Sequence, residues 1–528
     1  MKWFAAVMLP VGLAAAVSCG RSASTREAIT KVKVKQGLVQ GTLDRGVGTF
    51  YAIPYAEAPV GDLRWKVPVP RKAWEGVYDA TVAGARPPQP MRSGDGEDRL
   101  MTEDCLFVNV QTPATSRREK LPVLVWIHGG AFATGSAGVD GIHFAEQGIV
   151  FVALGYRLGA LGFLALPELS SENERGVSGN YGLLDMIEGL KWVKENISAF
   201  GGDPSKVTIM GESAGAIAVS MLCASPLAKG LFRGAISESG GSFCPVDSVR
   251  TNQNGLRDLA RSEQFGKAFM ERIGASSLEE LRAMDWHPFV NDPVANTVSG
   301  FWPTVDGYVL PDDQYRMYEA GNYNDVNVLI GTNSDEGVGF LPMTTLSQFR
   351  EDVRKEYGTL ADRALELYPA ATDNQAYNAV SDMFRENAFA WHTWAWANLQ
   401  RKTGKGKVWL YYFDQYDPEH PVAAGPDGPF SHGALHASEL PYVFKLPVNG
   451  LFEGGDKTVS EAMNAYWCSF VKTGDPNGKG LASWPVYEDG TASVLYFKDG
   501  TSLIETPNKP QLELADEYFA RRRALSGR

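Results

Sequence analysis

Histidine and cysteine are scarce in this chain, at seven and five of 528 residues. The cysteines, at positions 19, 105, 223, 244 and 468, fall in no metal-ligand spacing and are too few for a disulfide scaffold. Cys105, Cys223, Cys244 and Cys468 read as small buried thiols. Positive charge is in deficit, since 50 Lys and Arg against 62 Asp and Glu give a formal net charge of −12. No basic run stands out along the chain, and phosphate binding needs a clustered basic face, so nucleic acid is excluded as a partner. Beyond residue 17 no apolar run suits a membrane span, and there is no internal repeat or low-complexity block. What remains, with 44% hydrophobic and 21% charged residues, is an ordinary globular composition able to bury a large core.

The first residues are a separate matter. Lys2, an apolar run to Val17 and a small-residue end read as a secretory signal over residues 1–18. The stretch Ala16-Val17-Ser18-Cys19-Gly20 resembles a bacterial lipoprotein processing site, at which Cys19 becomes the lipidated first mature residue. Ala16 stands where such sites usually have Leu, so ordinary cleavage is the alternative. The expectation is an exported protein, periplasmic, extracellular or lipid-anchored at the envelope, whose membrane contact is through Cys19 alone.

From residue 28 to residue 528 no linker divides the chain, and one domain is expected. The segment from Lys31, VKVKQGLVQGTL, alternates with a two-residue period that suits hairpin strands. Short β-branched runs follow at CLFVNVQTP, LPVLVWIHGG, IVFVALGYR, KVTIM, GAISES, VNVLIGTNSDEG and KVWLYYF. Helical spacing separates some of them, most clearly over Asn180 to Phe200. Strands alternating with helices predict an α/β fold, a large, mostly parallel central sheet covered on both faces. The stretches from Asp247 to Met343 and from Ser347 to Gly404 are expected to cap it. In such sheets ligands sit beyond the carboxyl ends of the strands, and the motifs below all fall at such ends.

The segment KVTIMGESAGAIAVS, Lys206 to Ser220, joins an apolar strand to a small-residue helix through Gly-x-Ser-x-Gly. That pattern is a nucleophile elbow with Ser213 at its tip. A serine hydroxyl is a poor nucleophile at neutral pH and needs a base, itself oriented by an acid, in chain order Ser, acid, His. His392, in a Trp-rich helical run, and His420, in a Pro and Asp turn, read as structural or solvated. His432 and His436 share the loop SHGALHASELPYVF, and spacing alone does not choose between them. Nor does it choose between Asp335 and Glu336 after VNVLIGTN as the acid. His128-Gly129-Gly130-Ala131, at the end of VLVWI, supplies a backbone that approaches closely, with the N–H groups of Gly130, Ala131 and Ala214 as candidate oxyanion donors.

These segments, with YAIPYAEAPVGDLRW, TEDCLFVNVQTP, GNYGLLDM, FWPTVDG and YWCSFVKTGDPN, resemble the type-B carboxylesterases, which include bacterial para-nitrobenzyl esterases and animal cholinesterases. The resemblance runs nearly the whole mature chain and implies the α/β-hydrolase fold with helical cap regions. It implies a cofactor-free, metal-free serine esterase for small-molecule esters, with Ser213, Glu336 and His436 as the triad. Glu212 then reads as a buried carboxylate that tunes the histidine, and Ser239 as a polar support behind the triad; Asp335 and His432 are left without a role. Ala131 replaces the third glycine of the commoner pattern, Gly155 a usual Asn, and Met186 a frequent Gln. Cys105 lacks the partner the family often bridges it to. The loop before it has no tryptophan, which disfavours choline esters. Adhesion proteins of the same superfamily and amidase chemistry on the same triad are the competing readings. With His436 as base, activity is expected to fall as pH drops through roughly 6 to 7.

Overall fold

The short apolar runs pair into one eleven-stranded sheet in the computed structural model of the chain. The structure describes residues 27–91, 100–246, 256–295, 300–417, 419, 431–446 and 454–526. The expected signal segment, Cys19 and His420 lie outside the described residues. In chain order the strands are β1 (Thr42–Asp44), β2 (Val47–Pro54), β3 (Phe107–Thr112), β4 (Leu121–Ile127), β5 (Val150–Leu154) and β6 (Gly202–Glu212). They continue with β7 (Gly234–Glu238), β8 (Asn327–Asn333), β9 (Val408–Phe413), β10 (Val494–Phe497) and β11 (Thr501–Ile504). Their order across the sheet is 1-2-3-5-4-6-7-8-9-10-11, a single inversion in an otherwise sequential layout. The pairs from β5 and β4 through β9 and β10 are parallel, and both edges are antiparallel.

Strand β4 shows why the sheet is covered twice. Val123, Val125 and Ile127 point into one core, with residues of α1 (Tyr181–Asn196) and α2 (Ala214–Ala224). Leu124 and Trp126 point into the other. Each buried side chain of this size contributes about 1.5–3 kcal/mol, and a strand buried on both faces reads as an unbroken apolar run. On the first side the later helices include α3 (Leu346–Tyr357), α4 (Asp373–Arg385) and α5 (Trp391–Thr403). On the second, α6 (Gly454–Thr473) contributes Val459, Met463, Trp467 and Phe470. Helix α7 (Lys509–Ser526) packs beside α5, with Phe519 against Trp391.

The expected strands and the expected helical stretch after residue 346 are present. The stretch from Asp247 to Met343 does not serve only as a cap, because it contributes β8 to the middle of the sheet. The edge hairpin β10–β11 went unread, since VLYF and TSLI are too short and too mixed to show a period. Lys31–Lys33 and Leu38–Gln40 do pair as an antiparallel hairpin, but they join Val77–Asp79 in a separate three-stranded sheet. All four described cysteines are buried, and no two of them form a disulfide. Trp391 and Trp396 are core residues. A Cβ at Gly155 would stand 2.8 Å from the Cys105 carbonyl oxygen, so packing there favours glycine. Met186 is fully buried among apolar neighbours. No helix among the described residues is long and apolar enough to cross a membrane.

Candidate active site

Strand β6 ends at Glu212 and helix α2 starts at Ala214, so Ser213 alone makes the turn, with φ 55° and ψ −125°. Such a backbone costs on the order of 1–3 kcal/mol and survives only where its surroundings hold it. The Ser213 N–H donates to the Glu238 carbonyl at 2.9 Å, and its own carbonyl accepts from Ile217 N at 2.9 Å. The two glycines of the motif are sterically required. A Cβ on Gly211 would lie 2.4 Å from the Gly215 carbonyl carbon, and one on Gly215 would lie 2.1 Å from the Ile127 oxygen at the end of β4. Among the described residues the Ser213 hydroxyl makes no hydrogen bond.

The glycine loop after β4 is pressed against this turn. A Cβ on Gly129 would come within 2.6 Å of the Glu212 carbonyl oxygen and 3.0 Å of the Ser213 Cβ. Gly130 and Ala131 both take positive φ, at 103° and 55°. Alanine therefore occupies a left-handed position at which glycine is easier. The Gly130 and Ala131 N–H groups have no partner among the described residues. Ala214 opens α2, so its N–H is one of those a helix start leaves without an intrahelical acceptor. Together with the dipole of α2, these donors form a surface suited to a developing oxyanion.

The histidine arrives from a distant loop that is zipped onto the end of β8. Asp335 N donates to Ala434 O at 2.8 Å, Ala434 N to Ser334 Oγ at 2.7 Å, and Asn333 Nδ2 to Leu435 O at 2.8 Å. This register presents His436 to Glu336, with Nδ1 and Oε2 2.6 Å apart. The other carboxylate oxygen, Oε1, accepts from Ser239 Oγ at 2.6 Å and from Asn333 N at 2.7 Å. A carboxylate so held accepts from Nδ1–H and leaves Nε2 as the basic nitrogen. That nitrogen stands 3.1 Å from Glu212 Oε1. Phe340 and Phe389 flank the imidazole at 5.0 and 4.6 Å between ring centres.

Burial lowers the imidazole's affinity for a proton, but Glu212 and then Glu336 outweigh it, so His436 is raised above an ordinary histidine. Burial raises Glu212 in turn, against the pull of His436. The structure thus brings together Ser213, Glu212, Gly129, Gly130, Ala131, Ala214, Ser239, Glu336 and His436. It holds the remaining candidates apart. His432 is half-exposed, its Nε2 3.2 Å from Asp382 and its Nδ1 3.6 Å from Asp335. His392 is buried, accepting from Phe243 N at 2.9 Å and lying 3.3 Å from the Cys244 sulfur.

Two further carboxylates escaped the reading of the sequence. Glu238 is the register partner of Glu212 on the adjacent strand, fully buried, and accepts from the Trp467 indole N–H. Glu439, also fully buried, accepts from the Asn333 side-chain amide. Burial and then the other acids push both up, Glu439 acting on Glu238 and Glu212 on Glu439. Their signal is faint, because an acid three residues past a histidine or one before a serine looks like a solvated one.

A sheet of this order, a strained serine between strand and helix, and a carboxylate-held histidine define an α/β hydrolase. The family model described as "Carboxylesterase family" matches residues 28–515, and the chain belongs to that family. It is a carboxylic-ester hydrolase. It is 36% identical over 509 residues to a para-nitrobenzyl esterase of Bacillus subtilis (strain 168), covering 92% of this chain and 98% of that one. It is 34% identical over 484 residues to a fumonisin B1 esterase of Sphingopyxis macrogoltabida, covering 86% and 84%. Among solved structures, a PNB esterase superposes with a TM-score of 0.77 at 33% identity, over 93% of this chain and all of the other.

Proposed function

We propose that the enzyme hydrolyses small- to medium-chain carboxylic esters through an acyl-Ser213 intermediate. The imidazole of His436 takes the Ser213 hydroxyl proton on Nε2, and the serine oxygen adds to the ester carbonyl. The oxyanion accepts from the N–H groups of Gly130, Ala131 and Ala214. As the carbonyl reforms, the bond to the alcohol oxygen breaks and His436 returns the proton to that oxygen. Water, deprotonated by the same nitrogen, then releases the acid and Ser213. Glu336 holds the ring and stabilises the imidazolium throughout. The observation that carries this reading is the 2.6 Å pairing of His436 Nδ1 with a fully buried Glu336 beside the strained Ser213 turn.

Relatives bearing names such as fumonisin B1 esterase and cocaine esterase support a small organic ester as the substrate class. The Gly-Gly-Ala loop supports acceptance of tertiary-alcohol esters. The amino-terminal segment supports export, with a lipid on Cys19 as the attachment. The test is a chromogenic ester series from acetyl to decanoyl, with matched amides and a tertiary-alcohol ester, run beside Ser213→Ala and organophosphate labelling. Turnover lost in the variant, with the label on Ser213, is expected. Amide turnover matching the esters would displace the esterase reading, and no tertiary-ester hydrolysis would remove that substrate class. Mass spectrometry of the mature amino terminus tests the anchor.

A further inference from the structure

Reading along the chain shows no basic cluster, but the fold builds one from segments about eighty residues apart. The alternation Lys31-Val32-Lys33-Val34-Lys35 buries both valines and leaves all three lysines exposed on one side. Beside them the turn that leads into β4 carries Arg117, Arg118 and Lys120, also exposed. Lys33, Lys35, Arg117, Arg118 and Lys120 line one open cleft of about 980 Å³. Its acidic wall residue, Glu195, is taken by Lys35 at 3.0 Å. Glu119, in the same turn, accepts from the backbone and hydroxyl of Thr115 and from Ser116 N. Lys33, Arg117, Arg118 and Lys120 form no ion pair among the described residues. In a chain of net charge −12, this is a segregated positive surface.

An apolar pair borders it. Lys33 is the register partner of Leu38, and Leu38 of Val77, so the three share the outer face of the small sheet. Leu38 and Val77 are 37% and 47% exposed. Cations beside exposed aliphatic side chains suit the headgroup and acyl boundary of a bilayer, whereas single-stranded nucleic acid calls for aromatic stacking surfaces, which the cleft lining lacks. The described chain begins at Glu27, and the eight residues from Cys19 to it reach at most about 28 Å. The cleft adjoins the start of β4, while Ser213 lies at the opposite end of that strand's neighbour. Seven residues of strand at about 3.3 Å each separate the two ends.

We propose that this cleft is a docking surface for anionic lipid headgroups, which orients the enzyme with its active site turned away from the membrane. The proposal rests on the envelope reading above, and the anchor and the cleft reinforce each other because tethering makes the second contact intramolecular. The test is co-flotation of the full chain, and of its Cys19→Ala variant, with phosphatidylcholine vesicles with and without about 30% phosphatidylglycerol. The triple variant Arg117→Glu, Arg118→Glu, Lys120→Glu is run in both backgrounds. In the Cys19→Ala background binding is expected only with the anionic lipid, lost near about 0.5 M salt. The triple variant should weaken it about 100-fold or more, each basic residue near such a surface counting for about a fivefold factor. Hydrolysis of a soluble ester by the triple variant should be unchanged.

In the Cys19→Ala background, equal binding to neutral vesicles, or full binding by the charge-reversed chain, would overturn the proposal. So would retention on DNA without vesicle flotation. Cys19→Ala protein that keeps the charge-dependent binding would leave the cleft and remove the need for the anchor. A Cys19→Ala chain that floats with neither vesicle would overturn the proposal and leave the anchor alone. Neither result bears on ester hydrolysis, which is read separately.

Discussion

Replacing Glu212 by Gln removes a carboxylate from a point 3.1 Å from the basic nitrogen of His436 and leaves a side chain of the same shape. At an effective dielectric near 20 a full charge pair at that distance is worth about 5 kcal/mol. The carboxylate does not act with full charge, because burial raises its own pKa. The net effect falls to about 1–3 pH units on the histidine, or about 1.4–4 kcal/mol. The sign follows from the charge. Glu212 favours the imidazolium, so it raises His436, and the working base is the neutral ring. Activity therefore rises with pH through the histidine's raised pKa, above the 6 to 7 expected from an ordinary histidine. Glu212→Gln moves that limb to lower pH. The plateau falls as well, because the imidazolium formed in the transition state loses the same partner. The assay is kcat/KM for a short-chain ester by pH-stat from about pH 5 to about pH 10 at constant ionic strength. A limb that stays in place or moves up, in a variant with unchanged thermal stability, would refute the electrostatic account of Glu212.

Glu336→Gln keeps the volume but offers an amide where the imidazole N–H needs a full negative acceptor. We expect kcat to fall about 10⁴-fold with KM little changed, by steady-state kinetics. Gly215→Ala sets a methyl 2.1 Å from the Ile127 oxygen. A stability loss of about 1–3 kcal/mol is expected in urea, with a loss of turnover as the elbow shifts; wild-type values in both would show that the strand end yields freely. His432→Asn removes the ring's contacts with Asp382 and Asp335, while the backbone N–H of residue 432 still donates to Asp335. The hydrogen bond the ring donates to Asp382, and the nearby acids, raise His432, so the contribution is present below about pH 6.5 and lost as pH rises through the raised value. For so exposed a ring it amounts to about 0.5–1 kcal/mol, read as a melting-temperature difference between wild type and variant that closes at alkaline pH.

Much of this site was legible in the chain because its parts are carried by local signals. A strand, two glycines and a helix announce Ser213, and a second glycine cluster after an apolar run announces the donors. The partners of Ser213 carried no such signal. Asp335 and Glu336 are equivalent in sequence. What separates them is the register of the 431–436 loop on β8, which turns Asp335 toward His432 and Glu336 toward His436. Family resemblance supplied that choice, and geometry gives its reason. Glu238 and Glu439 remained unread for a related cause, since burial of a carboxylate is decided by elements far away, here Trp467 on α6 and Asn333 on β8. The basic cleft illustrates the same limit at the surface, where two unremarkable segments add up only in space.

The zipping of the 431–436 loop onto β8 also sets a clock on synthesis. The nucleophile's strand β6 and one of its two parallel neighbours, β4, are in hand once residue 212 is made, yet the base is supplied more than two hundred residues later. On the proposed mechanism, a nascent or truncated chain that ends before His436 has no means of removing the Ser213 hydroxyl proton, whatever the state of its elbow. Ester hydrolysis is therefore a signal that the chain has been made at least through His436 and that this loop has closed onto β8. That makes turnover a reporter of one long-range closure, which a measure of secondary structure does not read.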